Sequence, residues 1–172
     1  PEKTAETIDA DGWLATGDIA TIGTDGNVTI VDRKKELIIN EAGKNLAPTN
    51  IENTIKAASP LIGQIVAIGE GKRYIAALIV LDPDLASVKA HKLGLDGSDL
   101  VAVSAHPDVV AEVKAAVAAG NKKLSRVEQV KRFTIVADPW EPGGDELTPT
   151  MKLKRKFVEK KYADRIEALY RD

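Results

Sequence analysis

The chain has 172 residues, 44% of them hydrophobic and 29% charged, and its 24 basic and 26 acidic side chains give a net charge of −2. This composition is typical of a globular protein with a packed core, and the lack of cysteine excludes disulfides, thiolate nucleophiles and cysteine-based zinc sites. An aromatic content of 4% argues against stacking on single-stranded nucleic acid, and no apolar run approaches the roughly 18 residues that span a bilayer.

The first half of the chain predicts a hairpin, a short strand and a helix. Residues 19–32 alternate apolar and polar side chains around an Asp-Gly dipeptide, a pattern typical of a β-hairpin. A short apolar strand follows at 37–39, and a glycine loop comes after it. Pro48 opens a predicted helix that ends at Ser59-Pro60.

Two almost continuous apolar runs at 62–68 and 74–81 predict central strands that are antiparallel neighbours, since only the segment "GEGKR" joins them. Helices are predicted from Pro83 to about residue 92 and over 107–123, and a further strand over 133–137. Strands and helices are therefore mixed, and we predict an α+β fold. It consists of a small mixed or antiparallel sheet with flanking helices, preceded by the hairpin.

The closing segment carries a cluster of positive charge. Residues 152–161 contain six basic side chains against one acidic side chain, Glu159. An apolar stripe predicts that the closing helix docks on the core, because each buried side chain contributes roughly 1.5–3 kcal/mol and an exposed ion pair about 0–1 kcal/mol. The stripe consists of Val158, Tyr162, Ile166 and Leu169. Most of the lysines then simply solvate the opposite face of the helix.

Single residues carry weak signals. Lys152 and Lys154 follow the restricted segment Thr148-Pro149-Thr150, which can aim a side chain, although composition alone favours simple solvation of a helix end. Asp18 follows a glycine and precedes a strand. A carboxylate at such a junction can accept hydrogen bonds from hydroxyl groups, but a structural role in a turn is the commoner explanation. The two histidines have no ligand partners at suitable spacing, so we expect no metal site in this chain.

Three motifs in combination are specific. "GWLATGD" at 12–18, "VDRKKELIINEAGKNLAP" at 31–48 followed by "NIE", and "LTPTMKLKR" at 147–155 resemble, in order and spacing, the last three signature motifs of the adenylate-forming superfamily. That superfamily includes acyl-CoA synthetases, luciferases and peptide-synthetase adenylation domains. The wording of the last two motifs is most similar to the long-chain fatty acyl-CoA synthetases.

The resemblance implies an AMP-forming fatty acid–CoA ligase that makes acyl-adenylate from acid and ATP, and then acyl-CoA and AMP. By the same resemblance, Asp18 and Arg33 hold the ribose hydroxyls and Lys35 is the hinge. Gly43, with Lys44 and Asn45, forms the loop that faces CoA; the missing side chain lets pantetheine pass close to the backbone.

The resemblance also implies a catalytic lysine that stabilises negative charge during adenylation. Lys152 fits the family pattern of lysine, aliphatic residue, any residue, arginine. Met151 stands where the family has glycine, so Lys154 remains a second choice.

The chain begins at Pro1 without a preceding element, and we expect a fragment of a longer enzyme. Residues 1–34 would end the N-terminal, ATP-binding domain, and 35–172 would form the mobile C-terminal domain. ATP and Mg²⁺ would be bound mainly by the missing domain and CoA would be the co-substrate, so the fragment alone would be inactive.

We expect a cytoplasmic enzyme that acts on a fatty acid and binds no nucleic acid; peripheral membrane association of the full-length enzyme stays open. Two alternatives stay open as well: an adenylation domain that passes its acyl group to a carrier protein, and a non-enzymatic basic module that binds nucleic acid or an acidic protein.

Overall fold

A computed structural model describes Thr4 and residues 7–171 of the chain. The elements in chain order are β1 (Asp18–Ile22), β2 (Val28–Arg33), β3 (Ile38–Ile39), β4 (Asn45–Leu46), α1 (Pro48–Lys56), β5 (Ile62–Ile68), β6 (Ile75–Leu81), α2 (Pro83–Lys92), α3 (Leu100–Ala105), α4 (Pro107–Asn121), β7 (Val130–Val136), α5 (Arg155–Lys161) and α6 (Ala163–Ala168). A short 3-10 turn, Lys34–Glu36, follows β2.

The main sheet has three strands in the order β5-β6-β7. β5 and β6 pair antiparallel, as the sequence predicts, whereas β6 and β7 pair in parallel through the crossover that contains α2, α3 and α4. The α+β prediction with a small mixed sheet is confirmed. β5 lies at an edge and is not central; only β6 has a strand on each side.

Side chains of the sheet alternate between two hydrophobic cores. Along β6, Ile75, Ala77 and Ile79 face one core with α1, α2, α3 and α4, while Ala76 and Leu78 face the other. The second core is closed by the end of the chain, and all four residues of the predicted apolar stripe are buried there. Trp140 and Leu147 are also buried in this second core. The protein therefore has three layers, with the sheet between two helical layers.

Two small hairpins precede the sheet. The predicted hairpin is confirmed as β1 and β2, with Ile22 opposite Val28. β3 and β4 form a second hairpin, so the glycine loop is its turn. The buried Asp32 carboxylate joins the first hairpin to α1, because it accepts hydrogen bonds from the backbone N–H and the hydroxyl of Thr49, both at 3.1 Å.

Several predicted boundaries move. α1 ends at Lys56, before Ser59-Pro60, and β7 begins at Val130 rather than at residue 133. The closing helix is interrupted at Tyr162, whose buried hydroxyl accepts a hydrogen bond from the Trp140 indole at 3.1 Å. The sequence reading missed α3, a helix of six residues, although its N-cap is visible in the sequence: the Asp99 carboxylate accepts from the backbone N–H of Ala102.

Gly120 provides a test of the packing of α4 on α1. A Cβ atom at this position would lie 2.9 Å from the Cα of Ile55. Alanine normally stabilises a helix by about 1 kcal/mol relative to glycine, but forcing two backbones apart costs about 1–3 kcal/mol. We therefore expect Gly120→Ala to lower the free energy of unfolding in urea titrations. The exposed Ala119→Gly change is the matched control and should cost only about 1 kcal/mol. A Gly120→Ala variant more stable than the parent would contradict the close approach.

Candidate functional site

Asp18 and Arg33 lie directly opposite each other in the first hairpin. The Nε of Arg33 is 2.9 Å from a carboxylate oxygen of Asp18, and the guanidinium also donates to the carbonyl oxygen of Thr16. The Arg33 side chain is 61% exposed and that of Asp18 26%. The structure thus brings these two predicted residues together, as an acceptor and a donor side by side at the end of the hairpin that leads to Lys34.

Lys35 lies in the 3-10 turn that follows β2, and its side chain is exposed. The turn contributes no buried side chain to either core. The hydrogen bonds from Thr49 to Asp32 cross this turn, so a rotation of the backbone at Lys35 would separate these two residues.

Gly43 lies at the turn between β3 and β4 with a φ of +74°, a value that glycine adopts at little cost. Asn40 closes the turn, because its side-chain oxygen accepts from the backbone N–H of Lys44 at 2.9 Å. A Cβ atom on Gly43 would meet nothing within 4 Å. Lys44 and Asn45 are exposed beside it, so the turn offers open backbone to a ligand.

The loop that carries the two candidate lysines is paired with itself. Leu147 and Leu153 form an antiparallel bridge, and Leu147 is fully buried. The backbone N–H of Thr148 donates to the carbonyl of Lys152 at 2.8 Å, and the N–H of Lys152 donates to the Thr148 hydroxyl at 3.0 Å. These bonds fix the backbone on both sides of the loop tip.

Met151 occupies the left-handed region at the tip of this loop, with a φ of +63°. Glycine adopts this conformation at little cost, whereas a side chain in this region costs roughly 1–2 kcal/mol.

The two lysines differ in what their ammonium groups contact. Nζ of Lys154 donates to the carbonyl oxygen of Gly144 at 2.9 Å, within the same loop. Lys152 is exposed, and its ammonium group has no hydrogen-bond or ion-pair partner among Thr4 and residues 7–171. Of the two, Lys152 is the one whose ammonium group is free of partners among the described residues.

Arg155, the residue that follows the two lysines, forms an ion pair with Glu52 of α1 that the sequence reading did not identify. The two N–O distances are 2.8 and 3.1 Å, and each side chain is only 14% exposed. Burial raises the pKa of the Glu52 carboxyl, and the adjacent Arg155 guanidinium opposes this shift. Both residues lie in the quoted motifs, Glu52 in "NIE" and Arg155 in "LTPTMKLKR", but nothing in the sequence indicated that they pair.

A second ion pair anchors the other side of the lysine loop. The Lys161 ammonium contacts the buried carboxylate of Glu146, which Tyr162 also approaches through its hydroxyl at 3.4 Å. Lys161 therefore does more than solvate the helix face, and that part of the prediction is wrong for this residue.

A cavity of about 700 Å³ lies between the Lys35 turn and the start of α5. Leu37, Leu153 and Phe157 supply apolar lining, while Lys154 and Glu159 supply charge. Burial raises the pKa of the Glu159 carboxyl. The candidate hinge and the lysine loop thus border the same open space.

Met151→Gly tests the strain at the tip of the lysine loop. Glycine removes the steric cost of the left-handed backbone and adds an entropic cost of roughly 0.5–1 kcal/mol. We expect the variant to be as stable as the parent, or more stable by up to about 1 kcal/mol, in urea unfolding. Met151→Ala keeps a Cβ atom and should show no such gain. A loss of more than about 1 kcal/mol in Met151→Gly would show that the methionine side chain, rather than the backbone, holds the loop.

Comparison with known proteins identifies relatives along nearly the whole chain. The fatty-acid–CoA ligase named FadD11 of Mycobacterium tuberculosis is 58% identical over 170 residues, which cover 99% of this chain and 30% of that protein. The long-chain-fatty-acid–CoA ligase FadD15 of the same species is 41% identical over 161 residues, 93% of this chain and 27% of that protein. The chain therefore spans less than a third of the length of these curated relatives.

A solved structure and a family model agree with these relatives. The A-PCP didomain of the carboxylic acid reductase from Segniliparus rugosus, in complex with AMP, superimposes with a TM-score of 0.73 at 28% identity. The match covers 99% of this chain and 22% of that one. The family model described as "AMP-binding enzyme C-terminal domain" matches residues 35–172. The chain therefore belongs to the family of AMP-binding enzyme C-terminal domains.

Proposed function

We propose that this chain is the C-terminal portion of an ATP-dependent long-chain fatty acid–CoA ligase, and that it supplies the lysine of the adenylation step. The observation that carries the proposal is the ammonium of Lys152, which has no partner among the residues that the structure describes and follows a backbone that is hydrogen-bonded on both sides of the loop. The relative at 58% identity is named as a fatty-acid–CoA ligase, and the relative at 41% identity is named as a long-chain-fatty-acid–CoA ligase.

In the first half-reaction, a carboxylate oxygen of the fatty acid attacks the α-phosphorus of ATP, and the bond to pyrophosphate breaks. Negative charge gathers on the oxygens between the acid and the phosphate. The Lys152 ammonium stabilises this charge, an effect that is strong where the donor is already in place and little water is present. Lys154 is bonded to Gly144, so we assign it to loop structure.

In the second half-reaction, the thiol of CoA attacks the acyl carbon and AMP leaves. We assign Gly43, Lys44 and Asn45 to the passage of pantetheine, because their turn offers open backbone. Asp18 accepts from the ribose hydroxyls of the nucleotide and Arg33 donates to them. Between the two half-reactions the C-terminal domain rotates about the backbone at Lys35. This rotation breaks the contact of Asp32 with Thr49.

We place the domain boundary after residue 34, with 35–172 as the mobile domain and 1–34 as the end of the nucleotide-binding domain. The apolar face of the first hairpin supports this division, because Ile22 and Ile30 are 76% and 66% exposed. Such a face fits the N-terminal domain of the same protein as its partner.

ATP and magnesium are assigned mainly to that N-terminal domain. Within the part of the chain that the structure describes, no three histidine, aspartate or glutamate side chains group as ligands for a metal ion. Nor is any described helix both long and apolar enough to cross a membrane.

Two alternatives have direct tests. If the acceptor is a carrier protein, acyl transfer from the adenylate requires a phosphopantetheine-bearing protein and free CoA does not replace it. If the chain is a basic binding module, it binds DNA with an affinity that falls steeply with salt. The second alternative is weakened because the apolar stripe of the closing helix is buried and Lys161 is paired.

Lys152→Ala in the full-length enzyme tests the assignment of the catalytic lysine. Losing one positioned donor should lower ATP–pyrophosphate exchange by about 10²- to 10³-fold, and it should spare acyl-CoA formation from supplied acyl-adenylate. The exposed Lys160→Ala is the matched control and should change neither half-reaction. If Lys154→Ala abolishes exchange and Lys152→Ala does not, the assignment is wrong by two residues.

The division of labour between the domains predicts that the chain alone is inactive. We expect the purified 172-residue chain to show no ATP–pyrophosphate exchange, because the ATP and acid sites lie elsewhere in the full-length enzyme. Exchange above background by the chain alone would refute this division.

The hairpin face predicts a stability effect that depends on the rest of the protein. Ile22→Thr together with Ile30→Thr should change the unfolding free energy of the chain itself by less than about 0.5 kcal/mol per substitution, because both side chains are exposed. In the full-length enzyme the same pair should cost about 1–3 kcal/mol, because the face would be buried there. Thr29→Ser, on the adjacent residue of β2, serves as the control. Equal effects in the two proteins would exclude the proposed interface.

A further inference from the structure

Glu52 and Arg155 meet at the free edge of the main sheet. β5 forms this edge, so the backbone groups on its outer side have no neighbouring strand. Ala67 is one of these residues: its N–H donates to Glu52 at 2.8 Å and its carbonyl accepts from Arg155 at 3.2 Å. The ion pair thus bonds both backbone groups of Ala67, as a further strand would.

This arrangement fixes the guanidinium in two directions. The bidentate contact with Glu52 sets the orientation of the guanidinium relative to α1. The contact with the Ala67 carbonyl sets the position of the guanidinium along β5. A planar guanidinium can satisfy both requirements at once, whereas a lysine ammonium cannot reproduce the fork.

Arg155 transmits this position to Lys152 over a short and bonded path. It is the first residue of α5 and lies three positions after Lys152. Between them, the N–H of Lys154 donates to the carbonyl of Glu146 at 2.8 Å, and Leu153 pairs with Leu147. A shift of Arg155 therefore moves the whole second side of the lysine loop.

The pair is better suited to fixing geometry than to adding stability. Buried ion pairs are often no more stabilising than apolar side chains of the same size. Here the Nε of Arg155 is also buried without a hydrogen-bond partner in the described part of the chain, which is unfavourable. What apolar side chains would not supply is the simultaneous connection of α1, β5 and the lysine loop.

We propose that Glu52 and Arg155 are positioning residues that aim the Lys152 ammonium during adenylation, an inference that rests on the proposed function. They act through the backbone of the loop and do not touch the substrate. Their loss displaces the ammonium from the reacting oxygens while the site that faces CoA stays intact.

The first test compares Glu52→Gln with Glu112→Gln in the full-length enzyme. Each change removes one carboxylate from an ion pair. Glu112, however, pairs with Lys89, and these two residues lie on the crossover helices α4 and α2. Glu52→Gln should lower kcat for ATP–pyrophosphate exchange by roughly 10- to 100-fold, the effect of a displacement of about 1 Å, with the KM for ATP unchanged. Acyl-CoA formation from supplied acyl-adenylate should stay within about twofold, and Glu112→Gln should alter neither rate. Unchanged exchange in Glu52→Gln overturns the proposal.

A double-variant experiment separates this proposal from the assignment of Lys152. If Glu52 acts through Lys152, adding Glu52→Gln to Lys152→Ala should cause no further loss of exchange. A further loss of the full size seen with Glu52→Gln alone overturns the positioning role. If Lys152→Ala alone leaves exchange intact, the proposed function fails instead, and the next measurement still decides whether the pair orders the loop.

Amide hydrogen exchange and a double variant without the two charges test whether the ion pair acts only on folding. In Glu52→Gln, the amides of Thr148 and Lys154 should exchange faster, while those of β6 keep their protection. The double change Glu52→Leu with Arg155→Met removes both charges and should keep the melting temperature near that of the parent. The rate of ATP–pyrophosphate exchange should nevertheless remain low in this neutral pair. Recovery of that activity in the neutral pair would show a purely structural role, and unchanged amide exchange of the loop in Glu52→Gln would show that the pair does not order the loop. Either result would overturn the proposal.

Discussion

The bidentate ion pair between Glu52 and Arg155 connects the three parts of the structure that must hold the lysine loop. Glu52 belongs to the helix on one face of the sheet, Ala67 to the edge strand, and Arg155 to the helix that covers the other face. Because both side chains are only 14% exposed, removing one charge would leave the other largely without compensation. The position of the loop therefore depends on both helical layers and on the sheet between them.

A loop with a hydrogen-bonded backbone beside an exposed turn fits the rotation that we propose between two half-reactions. The loop is bonded to itself and anchored at Glu146 and Arg155, whereas the turn at Lys35 contributes nothing to the cores. The cavity of about 700 Å³ between them is bordered by the turn on one side and by the loop on the other. In the proposed function, flexibility is confined to the turn, and the charged group moves with the domain as one unit.

The sequence predicted the elements whose signals are local. Alternation around a tight turn predicted the first hairpin, proline predicted the starts of α1, α2 and α4, and the apolar stripe predicted the docking of the closing helix. The parallel pairing of β6 with β7 and the edge position of β5 were not predictable in the same way, because they depend on contacts between distant segments. α3 was not predicted, because a helix of six residues is too short to show helical periodicity in its apolar residues.

The same distinction applies to the candidate site. The resemblance assigned Asp18 and Arg33 to the same ribose, and the hairpin register brings the two side chains into contact. The spacing of the last motif could not separate Lys152 from Lys154, since the difference lies in a hydrogen bond to Gly144 that depends on how the loop folds back. Arg155 was visible in that motif, but its partner lies on α1, more than a hundred positions away in the sequence, and no local pattern joins them.

The most direct measurement is a crystal structure of the full-length enzyme with a non-hydrolysable acyl-adenylate analogue in the adenylation conformation. We expect Nζ of Lys152 to lie about 3 Å from an oxygen of the α-phosphate or the acyl group, with the Glu52–Arg155 pair intact. A structure in which Lys152 points to solvent while Lys154 contacts the analogue, or in which the pair is broken, would contradict it.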